Sequence, residues 1–536
     1  MKLFTRWIGT HLGFLLILIL LLVHLAIIND YGFTWDFHFH FFGGGKLLGI
    51  EPNVLEPRNL PFAEPDPRRA WTLPYGPLMS IPPMMSYIYF YKTLNLLSAD
   101  AAYHLPIIFW GVAGIAILYI FMRQAFSSRV AIFSALFLAL TPRYFADMHN
   151  NMKDVPSAVM FALNMWLLWR LTKFKRPFDL LLAVAGFALA FNVKVNSIFI
   201  PIIFAVWILI QKKFSKNNLL YFLFAPIAAF GLWSLFWADP IGQLKHAYLT
   251  FGVGTNNIEV LLNGSWYCSG STVPWYYPYW YLAITTPLPT LLFFLIGLIG
   301  LIRRIRPIGI LLFLWLFLPL TRYLIPSVGV IDGVRHFEEV LFPLAAIAAL
   351  GLDALFSFVR HRLAKLVFSG VFLFTIYYLL ITNFSYHPYQ ITYFNELVGG
   401  VKGAFGKYDL DYWGTSQKAA VEWVNENASP NAKVHIVMAA AVAGQYLRPD
   451  LLPNLNKFGY DESDYVILLN RTSFLYRFFY AYEYYLHHKP IKIIEVKGTP
   501  LVWIYDNKTD NATPRQTPFW KDEDPCIIKY WRGERP

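Results

Sequence analysis

Charge is scarce in this chain of 536 residues: 15% are Asp, Glu, Lys or Arg, against roughly 25% in a soluble domain. That shortage argues against a soluble enzyme, and the 57% hydrophobic content excludes a disordered chain. Cysteine is nearly absent. Cys268 and Cys526 are the two, too few for a thiol scaffold or a cysteine-rich metal site. Internal repeats, heptads and low-complexity tracts are missing as well. What fills the chain is apolar runs of about 20 residues, the length that crosses a bilayer as a helix, together with 18% aromatic residues, which gather at membrane interfaces. The net charge of +12 follows from basic residues beside those runs and implies no nucleic-acid partner.

The first run, Ile8–Ile28, follows Lys2 and Arg6. It is long for a signal peptide and no small-residue cleavage site follows, so it reads as an uncleaved helix. About eleven spans are expected in all. In this count Leu180–Ile210 is a hairpin broken at Asn192-Val193-Lys194-Val195-Asn196, and Tyr75–Leu97, with its prolines and Lys92, stays outside. The basic clusters then share one face: Lys2 and Arg6; Arg123 and Arg129; Lys173, Lys175 and Arg176; Lys212, Lys213 and Lys216; Arg303, Arg304 and Arg306; Arg360, Arg362 and Lys365. The positive-inside rule makes that face cytoplasmic, with the N-terminus inside and the C-terminus outside. The expected fold is an α-helical polytopic membrane protein, residues 1–382, with a long first outer loop at 29–102 and an extracytoplasmic α/β domain at 383–536. In that tail Thr415–Asn427 reads as helix. Lys433–Met438, Tyr465–Leu469, Ile491–Val496 and Leu501–Tyr505 read as strands, with a turn at Lys497-Gly498-Thr499-Pro500. Cys268 and Cys526 both fall outside, where a bond between them would tie the fourth outer loop to the tail; the spacing leaves pairing open.

Ionisable residues near membrane depth mark function by default, and here they crowd the outer face. Asp36 lies among aromatics shortly after the first helix. It reads either as a general base, its pKa raised by desolvation, or as the N-cap of a short interfacial helix. His38 and His40 alternate like strand residues and, with His149, leave a divalent metal open; no cofactor is otherwise indicated. A short outer loop carries Asp147, His149, Asn150, Asn151, Lys153 and Asp154. Asp154 before Pro156 also suits a helix start, which accounts for one acid but not for the set. Lys194, Arg322, Arg335 and His336 are outer-face bases that call for anionic partners. Phosphate is the natural one, and an internal pair of Arg335 with Asp332 or Glu338 is the alternative. The Trp266–Trp280 stretch reads as an aromatic belt.

Taken together these residues resemble the GT-C membrane glycosyltransferases, nearest the glycosyltransferase family 39 group of protein O-mannosyltransferases and lipid A aminoarabinose transferases. The likeness rests on Trp35-Asp36 in a long first loop and on Asp147 with Asn150-Asn151-Met-Lys153-Asp154-Val-Pro156. It extends to Asp332-Gly-Val-Arg335-His336, His387-Pro-Tyr-Gln-Ile-Thr-Tyr-Phe394-Asn395-Glu396 and Asp409-Leu-Asp411-Tyr412-Trp413-Gly414. The family's protein mannosyltransferases carry Asp-Glu in the first loop; here Phe37 follows Asp36. The resemblance implies a sugar on a polyprenyl phosphate, passed with inversion to an extracytoplasmic lipid, glycan or protein at a bacterial inner (plasma) membrane. Asp36 would be the base and Asp147 or Asp154 the second acid, with Lys153, Lys194, Arg335 and His336 on the donor phosphate. A transporter or lipid flippase is the competing reading. It would place ionisable groups at midplane in broken helices and show inverted repeats.

Overall fold

The computed structural model describes residues 2–50, 76–233, 237, 239–253, 257–325, 327–358, 361–478, 484–509, 512–514 and 526. Residues 51–75 of the long first loop and Arg360 of the last basic cluster lie outside the described residues. Apolar helices dominate up to Tyr386. Among the described residues Ala99–Ala125, Pro307–Leu324, Arg335–Ser357 and Leu366–Tyr386 are long and apolar enough to cross a bilayer unaided. Their lipid side is visible in the last of these, where Leu373, Phe374 and Tyr377 stand exposed.

Other apolar runs are interrupted. Ser128–Ala139 turns by 66° into Pro142–Asn150, with Pro142 at the first position of the new helix. The expected loop around Asp147 is therefore a buried helix. Leu180–Ile210 is a hairpin, Pro177–Phe191 and Phe199–Gln211, joined through the turn at Asn192–Ile198. The run from Tyr281 to Ile302 breaks at Pro287, between Tyr277–Thr285 and Leu288–Arg303. Two helices meet at van der Waals distance of their backbones. A Cβ on Gly297 would fall 1.9 Å from the Ile347 carbonyl oxygen, and one on Gly351 2.0 Å from that of Phe293. Small residues of this kind let membrane helices pack without a water-driven hydrophobic force.

The tail builds a four-stranded sheet in the order β3-β4-β6-β5, from β3 (Val434–Ile436), β4 (Tyr465–Leu469), β5 (Lys492–Val496) and β6 (Thr499–Asp506). β3 and β4 are parallel and the other pairs antiparallel. Lys497 and Gly498 both take positive φ, 50° and 74°, as a two-residue hairpin turn with right-handed strand twist demands. Ala420, Val421 and Val424 of the Gln417–Asn427 helix pack against Ile436, Ile467 and Val502 of the sheet. Leu261 and Trp266 join the same core from a second hairpin, β1 (Glu259–Leu262) and β2 (Ser265–Cys268). Its turn, Asn263-Gly264, is a hairpin signature that the aromatic pattern of the same loop conceals. Cys268 at its end is disulfide-bonded to Cys526.

Candidate active site

The segment before Asp36 is held from above by the tail. The Phe33 amide donates to the Tyr446 hydroxyl at 2.7 Å, the Trp35 amide to the Trp413 carbonyl at 3.0 Å, and the Lys418 ammonium to the Asn29 carbonyl at 2.7 Å. Lys418 also pairs with Asp100 at 2.9 Å. Trp413 is itself placed by Asp411, whose carboxylate accepts from the amides and hydroxyls of Thr415 and Ser416. Asp36 stands at the N-cap position of the Phe37–Leu47 helix, but its side chain makes no capping bond. It turns instead to Lys153, with which it forms an ion pair, and to Arg335 at 3.5 Å. Capping is thus not its role. The two cations overturn one expectation: burial raises the Asp36 carboxyl, but Lys153 and Arg335 outweigh it and hold it below the ordinary carboxylate range.

Lys153 and Asp154 sit at the start of the Asp154–Phe174 helix. Its first amides are capped by Asn151, whose side-chain oxygen accepts from Asp154 N at 2.9 Å. That leaves the Asp154 carboxylate free for other work. It pairs with Lys194 at 2.6 Å and Arg335 at 3.7 Å. Lys194 reaches this point because the hairpin breaks there, with an extended backbone at φ −156°. Asp332 takes Arg335 and Arg471, the latter at 2.9 Å. Among the described residues each of these carboxylates therefore has two cations, and Arg335 pairs with all three. Buried ions persist only with such pairing. The indole of Trp413 lies 4.9 Å from the Arg335 guanidinium carbon and 5.9 Å from the Lys153 nitrogen. Side chains of Lys153, Lys194 and Arg335 are 5–6% exposed, Asp36 25%, so Asp36 is the most exposed member of the cluster.

Asp332 was foreseen as a partner of Arg335, and the pair coexists with the Asp36 and Asp154 contacts. Arg471, just past β4, carries no pattern that marks it in the sequence; only the fold brings it here, over Trp35 at 5.2 Å. Asp147 is buried and, among the described residues, has no ion-pair partner, though it lies within electrostatic reach of Arg143, Asp154 and Arg335. His336 is half-buried next to Arg335 in sequence, and its carbonyl accepts from Arg322. His149 belongs elsewhere: its ring stacks on Tyr31 at 3.9 Å and meets His24 Nδ1 at 3.2 Å. His38 and His40 occupy a helix rather than a strand, so two-residue spacing sends them to different sides. Among the described residues no three of His, Cys, Asp and Glu converge on a metal position.

Residues 80–237 match the family described as dolichyl-phosphate-mannose-protein mannosyltransferase. The chain resembles the GT-C membrane glycosyltransferases. The matched segment holds Asp147, Lys153, Asp154 and Lys194, while Asp36 and Arg335 lie outside it. Among solved structures, ArnT from Cupriavidus metallidurans bound to undecaprenyl phosphate is similar at 14% identity and a TM-score of 0.47, over 95% of this chain and 100% of that one. Its apo state gives 13% and 0.48, over 95% and 99%. The Archaeoglobus fulgidus oligosaccharyltransferase in its apo form gives 13% and 0.43, over 85% and 62%. Likeness at this level carries no argument about chemistry. No curated protein matches the chain.

Proposed function

We propose that this integral-membrane glycosyltransferase moves a sugar from a polyprenyl phosphate to an extracytoplasmic acceptor, with Asp36 as general base. The observation that carries the reading is an uncapped, partly exposed carboxylate set against Lys153 and Arg335, with Lys194 behind them on Asp154. A base beside a buried cationic clamp suits displacement of a phosphate leaving group. The matching family's description, which names a dolichyl-phosphate-linked mannose, supports the donor class.

In the ligand-free state Asp36 is a weak base because two cations neutralise it. A donor phosphate engaging Lys153 and Arg335 draws on those cations and adds its own negative charge nearby. Both effects raise the proton affinity of Asp36 when a base is needed. The acceptor hydroxyl oxygen then attacks the anomeric carbon, its proton passes to Asp36, and the bond from that carbon to the phosphate oxygen breaks. Configuration inverts, and the lipid phosphate leaves with the bond's electron pair beside Lys153, Lys194 and Arg335. Asp147, buried near this cluster, is the second acid of the scheme; Asp154 positions Lys194 and Arg335. In this reading residues 1–382 form the catalytic membrane part and 383–536 an outer cover. The N-terminus is cytoplasmic, and the membrane is a bacterial inner membrane.

The test is Asp36→Asn. Transfer to acceptor falls about 10²–10⁴-fold, while undecaprenyl phosphate still binds and the protein still folds, at a melting temperature lowered by loss of the Asp36 ion pairs. Retained transfer removes Asp36 as base. Transfer lost together with folding would make it a structural counter-ion instead.

A further inference from the structure

The Asp154–Phe174 helix starts at the candidate active site, and its 21 residues rise about 30 Å, one hydrocarbon thickness. Where it ends, an open cavity of about 720 Å³ is lined by Lys173, Lys175, Lys212, Lys213, Arg306 and Trp207. Phe199–Gln211, the hairpin arm that leads away from Lys194, ends at the same cavity. It therefore lies at the opposite membrane boundary from Asp36 and belongs to another site.

Its chemistry is anionic recognition. Among the described residues none of these five cations pairs with a carboxylate, whereas neighbouring Arg170 does, with Asp179 at 2.9 Å. Two helices also begin at the wall, Lys216–Leu232 after its N-cap Ser215 and Pro307–Phe317 after Arg306. Their first amides add partial positive charge. Trp207 is buried and fixed by an indole bond to the Pro307 carbonyl at 2.7 Å, and the Lys173 ammonium rests 4.3 Å from the Trp169 ring centre. Apolar side chains share the lining, Phe126, Ile308 and Phe214, the last 58% exposed, as suits a pocket open to lipid. The volume exceeds that of a bare phosphate and suits a headgroup with its glycerol.

We propose that this cavity binds the phosphodiester headgroup of an anionic phospholipid in the leaflet opposite the active site. Basic pockets between helix ends select such lipids by charge, and each cation near the surface strengthens binding about fivefold. A polyprenyl monophosphate shares the phosphate chemistry and is the other source to be separated.

The experiment is native mass spectrometry of the full chain purified in detergent and titrated with dioleoylphosphatidylglycerol, dioleoylphosphatidylcholine or undecaprenyl phosphate. Phosphatidylglycerol is retained over phosphatidylcholine. The triple variant Lys173→Gln, Lys212→Gln, Lys213→Gln weakens that retention about a hundredfold at an unchanged melting temperature. Arg303→Gln with Arg304→Gln, on the same face but outside the cavity lining, leaves it as in wild type. Equal retention of phosphatidylcholine overturns the proposal. So does an equal loss in the Arg303 and Arg304 variant, which would assign the effect to diffuse surface charge. Loss of undecaprenyl phosphate but not of phosphatidylglycerol in the triple variant overturns the phospholipid assignment.

Discussion

Asp36 shows how neighbours, not burial alone, set a residue's chemistry. Its aromatic surroundings in sequence promise desolvation and a raised pKa, yet two cations supplied from distant segments reverse the sign. A carboxyl held below its unfolded value contributes stability that is present above about pH 4 and is lost only as pH falls further. This group therefore gives no acid transition in folding between pH 5 and 8. For activity the sign has a second consequence. The acid limb of kcat/KM reports the free enzyme and that of kcat the donor complex. If phosphate draws Lys153 and Arg335 away, the kcat limb lies at higher pH than the kcat/KM limb; coincident limbs would refute the exchange. Lys194→Ala is a harsher change. It leaves Asp154, 1% exposed at its side chain, with Arg335 as its one remaining ion-pair partner among the described residues, and breaking a buried pair costs about 3–5 kcal/mol. Both donor binding and melting temperature should fall, and a variant with full stability would show that the pair carries little of the fold.

At the scale of elements, the breaks matter more than the spans. A helix that bends at Pro142 carries Asp147 inward, and a hairpin that opens at Asn192–Ile198 delivers Lys194 to Asp154. The unbroken elements hold the frame. Gly351→Val would drive a branched side chain into the Phe293 carbonyl, so the variant should lose its monodisperse peak in detergent chromatography; a normal peak would mean that the helices can separate at no cost. The β1–β2 hairpin is pinned at both ends of its role, by Trp266 in the tail core and by the bond from Cys268 to Cys526. Cys268→Ser should destabilise the tail by about 2–5 kcal/mol, read as a lower melting temperature that reducing agent reproduces in wild type. An unchanged melting temperature in both would show that the hairpin core suffices alone.

At the scale of the molecule, charge and chemistry divide between two ends. In the proposed topology a cysteine placed at Ser429, exposed at the end of the Gln417–Asn427 helix, reacts with an impermeant maleimide in sealed cells. Reaction only after permeabilisation would place the tail on the other side, and the active site with it. The sequence by itself determined the membrane class, because apolar length and scarce charge are local and additive. It determined the tail strands and a turn beginning at Lys497 for the same reason, since alternation and turn chemistry act over a few residues; of the expected turn Lys497–Pro500, Thr499 and Pro500 instead begin β6. It also marked Asp36, Lys153, Asp154, Lys194 and Arg335 as charges out of place. Their pairing was decided only by the tertiary structure. Ion pairs between residues 36, 153 and 335, or between 332 and 471, depend on which helices break and how the tail folds back. No local pattern encodes that geometry, and the sign of the Asp36 shift follows from it.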